Sequence, residues 1–307
     1  MSNIKNKIGV LKKVVAAFSL RHSFPGFHHM SLYDVGVFFI QAIKKGTLSI
    51  RSGAIAYNFF LAIFPAILFI FTLIPYVPID NFQSELLEIL RNIMPGDAFS
   101  AVEGTIEDVV MNPRFDLLSV GFIMTMYFAT NGVNAIMKSF NATSQEFETR
   151  SGIARRLISL WLVVIFFTLI TLAILSIMFS VYLFDYLASI GLLQNYFIYY
   201  LLKFVEWIII IALFFFAISF LYYYAPAKKM KWKLITAGGS IATLLCIIIS
   251  LLFSFYVNNF GQYNKLYGSL GTIIVLMMWI YMNAMVLLIG FELNASIENA
   301  RRVKKNE

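Results

Sequence analysis

Five polar side chains, Asn58, Asn131, Asn134, Asn283 and Glu292, stand in or beside long apolar runs. At membrane depth such a group is costly unless it faces protein, water or a ligand, so each is a candidate for function. Asn131 and Asn134 are three apart, which puts them on one face of a helix. The orientation argued below places all five toward the inner ends of their segments, where adjoining helices would line a polar vestibule open to the cytoplasm. The plainer reading takes slight precedence: asparagines bond across helices or to carbonyls as packing glue, at about 0.6 kcal/mol each. For Glu292, capping of neighbouring backbone or an ion pair with Arg155 or Arg51 is preferred to a proton relay.

Other chemistries find little support in the residue types. No phosphate-binding loop, nucleophile elbow or metal-ligand set is present, so neither a catalytic residue, a metal site nor a cofactor is expected. The three histidines, His22, His28 and His29, lie near the N-terminus without an acid cluster beside them. The single cysteine, Cys246, falls in an apolar run, which removes a disulfide framework and a cysteine metal cluster. Gly238, Gly239, Gly268 and Gly271 suit close helix contact or turns. Lys203 and Glu206, three apart, can pair with each other.

The elements that position these residues follow from composition. The chain of 307 residues is 60% hydrophobic and 13% charged, against about 25% charged for soluble domains. Six segments can span a bilayer: 54–75, 117–137, 157–184, 204–222, 234–257 and 270–291. The third exceeds one bilayer width and should tilt or project. Pro65 removes an N–H inside the first span and is expected to kink it, as a hinge or, preferably, as fixed curvature. Pro226 ends the fourth.

Basic residues sort by side. Twenty Lys or Arg fall before the first span, in the second and fourth hydrophilic segments and in the tail, against four in the first, third and fifth loops. The rule that cytoplasmic loops keep positive charge then places both termini inside. It also assigns the net charge of +8 to an inner face that anionic lipid attracts, rather than to a nucleic-acid site. The first 50 residues lack an apolar core long enough for a signal peptide, so an uncleaved N-terminus is expected.

The expected organisation is all-α and polytopic. A basic N-terminal region, 1–50, carries an amphipathic helix that starts at Ser31 and presents Leu32, Val35, Phe38, Phe39 and Ile43 on one side; it lies on the inner membrane surface or packs on the bundle ends. The six-helix domain takes 51–294, and a basic tail 295–307. The outer loop, 76–116, holds two amphipathic patterns separated by Pro95-Gly96-Asp97, one from Phe82 to Ile93 and one from Phe99 to Val109. A helical hairpin fits this loop, as a packing cap in preference to a functional lid.

Several segments in order resemble the YihY/BrkB family of bacterial inner-membrane proteins. They are Ala54-Ile55-Ala56-Tyr57 through Phe64-Pro65, Leu221-Tyr222-Tyr223-Tyr224-Ala225-Pro226 followed by Lys228 to Trp232, and Tyr267-Gly268-Ser269-Leu270-Gly271 with Trp279-Ile280-Tyr281 and Gly290-Phe291-Glu292-Leu293-Asn294-Ala295. The resemblance implies a six-helix, multi-pass protein of the bacterial cytoplasmic membrane with both termini in the cytoplasm. Members are linked to virulence and envelope phenotypes, and many carry an older label as a tRNA-processing ribonuclease. A metal-dependent ribonuclease needs clustered histidines and aspartates, which this sequence lacks. Two function classes follow: a transporter or flippase-like protein for a lipid or other amphipathic envelope molecule, and a non-transporting scaffold or envelope-assembly factor. The partners expected are membrane lipids, a second copy or an envelope protein, and no nucleic acid.

Overall fold

A long uncharged apolar run satisfies its backbone in lipid by closing every hydrogen bond within itself, and the helices here follow that rule. The computed structural model describes residues 47–76, 83–84, 87–88, 96–144, 150–189, 196–227, 235–260 and 269–306. These contain α1 (Leu48–Leu73), a 3-10 turn (Ile74–Tyr76), α2 (Gly96–Met111), α3 (Phe115–Ser144), α4 (Gly152–Ser189), α5 (Tyr196–Tyr224), α6 (Ala237–Phe260) and α7 (Ser269–Asn306). Among the described residues there is no strand. Six helices, all but α2, are long and apolar enough to cross a membrane. The amphipathic segment expected over 31–45 lies outside the described residues, as does most of the first half of the expected outer hairpin. The second half is α2.

Helix ends follow local chemistry. α1 continues as helix through Pro65 and gives way to the 3-10 turn at Ile74, where Pro75 removes the next N–H and disfavours the α conformation of the residue before it. Asp116 sits in the first turn of α3, where the helix dipole favours an acid. Ser151 caps α4 by accepting the Ala154 N–H at 3.2 Å. With 38 residues α4 is about 57 Å long, well beyond a hydrocarbon core of about 30 Å.

The chain forms two compact units. In the unit Tyr57–Gly132, the backbone of Phe69 on α1 lies so near Gly121 on α3 that a Cβ there would stand 3.2 Å from it, and the Phe59 ring covers Gly132 in the same way. Phe69 and Phe122 stack at a tilt, 5.5 Å apart. α2 packs on the 3-10 turn, with Ile74, Val109 and Val110 buried. The Arg114–Asp108 ion pair and a bond from Asn112 to Asp108, at 3.0 Å, join the end of α2 to the start of α3. All three side chains are exposed, so they add little stability.

In the unit Met1–Ala56 with Val133–Glu307, α4 packs on α5, α5 on α6, and α6 on α7. The α6–α7 crossing is a backbone contact: a Cβ on Gly238 would come within 2.0 Å of the Gly290 carbonyl oxygen, and one on Gly290 within 2.5 Å of the Tyr222 hydroxyl. Only glycine permits that approach. Around it Phe140 and Phe291 stack at 3.9 Å, and Tyr222 meets both edge-on at 5.5 and 5.7 Å. Every residue of α7 from Gly290 to Ile297 is buried, so at this level the helix is enclosed on all sides.

Candidate functional site: a polar network at the crossing of α7

Glu292 follows the stacked Phe291 directly and is brought to the start of α1 and the end of α3. Arg51 donates from Nη2 to Glu292 Oε1 at 2.9 Å, and from Nη1 to the Ser139 carbonyl at 2.8 Å and Thr143 Oγ1 at 2.6 Å. The Thr143 hydroxyl donates to the same Glu292 oxygen at 2.8 Å. The side chains of Arg51 and Glu292 are only 14% and 5% exposed, so this ion pair is buried, and two donors share one carboxylate oxygen. Buried charges persist only when paired and further hydrogen-bonded, and both conditions hold here. Of the two arginines considered for Glu292, Arg51 is its partner.

Three further ties gather at this end, each satisfying backbone that a helix terminus leaves open. Asn294, half a turn beyond Glu292, accepts the Gly238 N–H at 2.8 Å and donates to Thr236 Oγ1 at 3.1 Å; Thr236 in turn accepts the Gly239 N–H at 3.0 Å, so two residues together cap α6. Arg150 donates to the Ala225 carbonyl at 2.9 Å and the Tyr224 carbonyl at 3.4 Å, closing the end of α5. Asn141 accepts the Ala227 N–H at 2.8 Å, just past Pro226. The Tyr222 hydroxyl donates to the Leu287 carbonyl at 2.7 Å. α1, α3, α5, α6 and α7 are thereby fastened together at one end.

Asn283 and Asn134 take no part in these bonds. Asn283 donates to the Trp279 carbonyl of its own helix at 2.9 Å, and it sits about 14 Å along the axis from Glu292. Its neighbour Tyr281 shares a hydrogen bond of 2.8 Å with Ser49 on α1. Asn134 presents a buried Oδ1 that accepts no hydrogen bond, as do no other buried acceptor amides among the described residues; the Ser52 hydroxyl and Arg51 Nε are likewise buried without a partner. Asn58 and Asn131 belong to the Tyr57–Gly132 unit, and both have partners. Sequence reasoning treated Arg51 only as a partner for Glu292 and passed over Ser139, Asn141, Thr143, Arg150, Tyr222 and Asn294. The available signal was the run Phe291-Glu292-Leu293-Asn294, where two polar side chains two residues apart flank the end of the apolar stretch.

A second charged cluster joins α4 to α5. Lys203 Nζ and the Ser180 hydroxyl both donate to Glu206 Oε2, at 2.9 and 2.7 Å, and the ammonium stands 5.7 Å from the centre of the Phe184 ring. On α5 Glu206 and Tyr222 are about 24 Å apart, so the two clusters are separated by most of a hydrocarbon core. Among the described residues, no three His, Cys, Asp or Glu side chains are placed to share a metal ion.

Long apolar helices with charge confined to clustered ends define a multi-pass integral membrane protein. The chain belongs to the virulence factor BrkB family, whose model matches residues 39–307. It is 33% identical over 259 residues to YfkH of Bacillus subtilis, a protein named as ribonuclease-like, covering 82% of this chain and 91% of that one. It is 27% identical over 265 residues to a UPF0761 membrane protein of Idiomarina loihiensis (85% and 89% covered) and 25% identical over 279 residues to one of Haemophilus influenzae (88% and 97%). No solved structure matches the chain significantly.

Proposed function

We propose that this protein moves a lipid or other amphipathic envelope molecule across the bacterial cytoplasmic membrane, with both termini in the cytoplasm and without enzymatic activity. The observation that carries this reading is the distribution of charge along the spans. Two buried or half-buried ion pairs, Arg51–Glu292 and Lys203–Glu206, stand near opposite ends of the spans, the remaining charges of the spanning helices, such as Asp116, Lys138, Arg155 and Arg156, lie near helix ends, and the helix between Glu206 and Tyr222 is uncharged. Small ions call for charged rings or ordered carbonyls along a path. An amphipathic molecule needs polar stations for its head group at the two interfaces and apolar helices beside its chains, which is the pattern here. The inner vestibule belongs to this reading: Asn134 carries a buried acceptor without a partner, and Asn283, among the described residues, donates to a carbonyl of its own helix. Both observations support the vestibule over packing glue.

The excess of Lys and Arg in alternate loops supports the orientation. The name of the Bacillus relative is not extended to this chain, because the polar groups of the network are engaged with one another and with backbone rather than arranged as nucleophile and base. Membrane lipids are the proposed partners, with a second copy or an envelope protein alongside them and no nucleic acid.

A non-transporting scaffold is the second reading. It is favoured by the enclosure of Gly290–Ile297 and the glycine-to-glycine crossing, which make this end of the molecule rigid. Reconstitution into liposomes, with lipid scrambling and ion flux measured together, separates the two. Lipid movement supports the transporter, ion conductance without it refutes that reading, and silence in both favours the scaffold.

A further inference from the structure

The Lys203–Glu206–Ser180 cluster has no part in the Arg51–Glu292 network and sits at the opposite end of α5. Three observations bear on its use. The Glu206 side chain is 10% exposed while that of Lys203 is 44% exposed, so the carboxylate is set between α4 and α5 and the lysine side chain that covers it is partly open. Exposed Tyr182 and Tyr186 on α4 and Tyr199 and Tyr200 on α5 surround that level of the helices, which is the aromatic pattern of a membrane–water interface. The pair is neutral as a whole, one positive and one negative group held at 2.9 Å.

We infer that Lys203, Glu206 and Ser180 form a binding site for a phosphoethanolamine head group of a membrane lipid. The ammonium of Lys203 faces the phosphate, and the primary amine of the lipid, a hydrogen-bond donor, reaches the carboxylate of Glu206. A phosphoglycerol head group satisfies Lys203 but brings no cation to Glu206. A phosphocholine group carries a cation that cannot donate. The site thus selects among lipids by head-group charge pattern and not by chain, and Ser180 holds Glu206 Oε2 in place when the Lys203 ammonium, which donates to the same oxygen, is shared with the lipid phosphate. The inference deepens the proposed function by naming a head group, yet occupancy of the site requires no lipid movement. Failure of the binding test and silence in the scrambling assay are therefore separate results.

The test uses the full chain in vesicles, with Trp207 kept as the reporter and Trp161, Trp232 and Trp279 replaced by Phe. Trp207 adjoins Glu206 and is exposed. Quenching by brominated phosphatidylethanolamine is compared with quenching by brominated phosphatidylglycerol and phosphatidylcholine at equal mole fraction. The expected result is a preference of about fivefold for phosphatidylethanolamine, the factor set by one interfacial charge contact of about 1 kcal/mol. Glycerophosphoethanolamine should compete and inorganic phosphate should not. Glu206→Gln, which is isosteric and preserves a partner for Ser180, should reverse the preference toward phosphatidylglycerol by freeing the Lys203 charge. Lys203→Gln should weaken binding of both phosphate lipids, and Lys203→Arg should retain it. Equal quenching by the lipids in the parent protein, or a preference that Glu206→Gln leaves unchanged, would overturn the inference.

Discussion

Removing Arg51 should be among the most destabilising single changes available in this protein. Arg51→Met withdraws a charged donor from Glu292, whose side chain is 5% exposed, and leaves that carboxylate with the Thr143 hydroxyl as its described donor. Breaking a buried pair from one side costs about 3–5 kcal/mol, because the remaining charge stays buried and uncompensated. Glu292→Gln is milder. It keeps an acceptor for Arg51 and Thr143 and loses only the charge assistance of those bonds, about 1–2 kcal/mol. The double variant Arg51→Met with Glu292→Leu removes both charges, so its cost should fall below the sum of Arg51→Met and Glu292→Leu, each measured singly, by about 1–3 kcal/mol. Unfolding of the purified variants in mixed micelles of increasing SDS content, followed by helical circular dichroism, measures all of these. Additivity of the single changes to within about 0.5 kcal/mol would refute the coupling, and an Arg51→Met cost below about 1 kcal/mol would refute the burial argument.

The α6–α7 crossing predicts a sharp contrast between glycines: Gly238→Ala should cost about 1–3 kcal/mol by overpacking against the Gly290 carbonyl, whereas Gly53→Ala, with open space around it, should be neutral or slightly stabilising, as thermal unfolding in detergent would register. In a Cys246→Ser background, cysteines placed at exposed positions of 96–116 should react with an impermeant thiol reagent from outside the cell, and cysteines after Asn294 should not; the reverse pattern would overturn the orientation. Asn134→Leu should impair transport more than stability, since its buried Oδ1 holds no bond to lose, and Asn283→Leu should behave alike; loss of folded protein in size-exclusion profiles would return both residues to the role of glue.

The spans were legible because apolar length is a one-dimensional property: uncharged runs such as 270–291 announce themselves by composition alone. Their ends were not. Hydropathy stops at the first charge, so the apolar run starts at 54, although the helix begins at Leu48 and includes Arg51. Arg51 can lie inside the helix because Glu292, 241 residues later, neutralises it, and no local pattern encodes that distance. The same holds at the other terminus, where α7 runs past Asn294 to Asn306. Asn294 reads as the polar edge of a span, but its amide is spent on capping α6. Glu292 could be singled out, with Arg51 among its candidate partners, because a carboxylate at a membrane boundary needs a cation. Thr143 and Asn141 could not, since Ser, Thr and Asn at a helix end are common and their targets are set by tertiary contact. The pairing of Lys203 with Glu206 was readable from a spacing of three, whereas the contribution of Ser180 from α4 was not.

The most direct test of the account is lipid scrambling by the purified protein in liposomes, with a fluorescent phosphatidylethanolamine quenched from outside by dithionite and potassium flux recorded in the same preparation. Proteoliposomes should lose fluorescence beyond the outer-leaflet share seen in protein-free vesicles, without an accompanying ion conductance. Ion conductance with no added loss of fluorescence would contradict it.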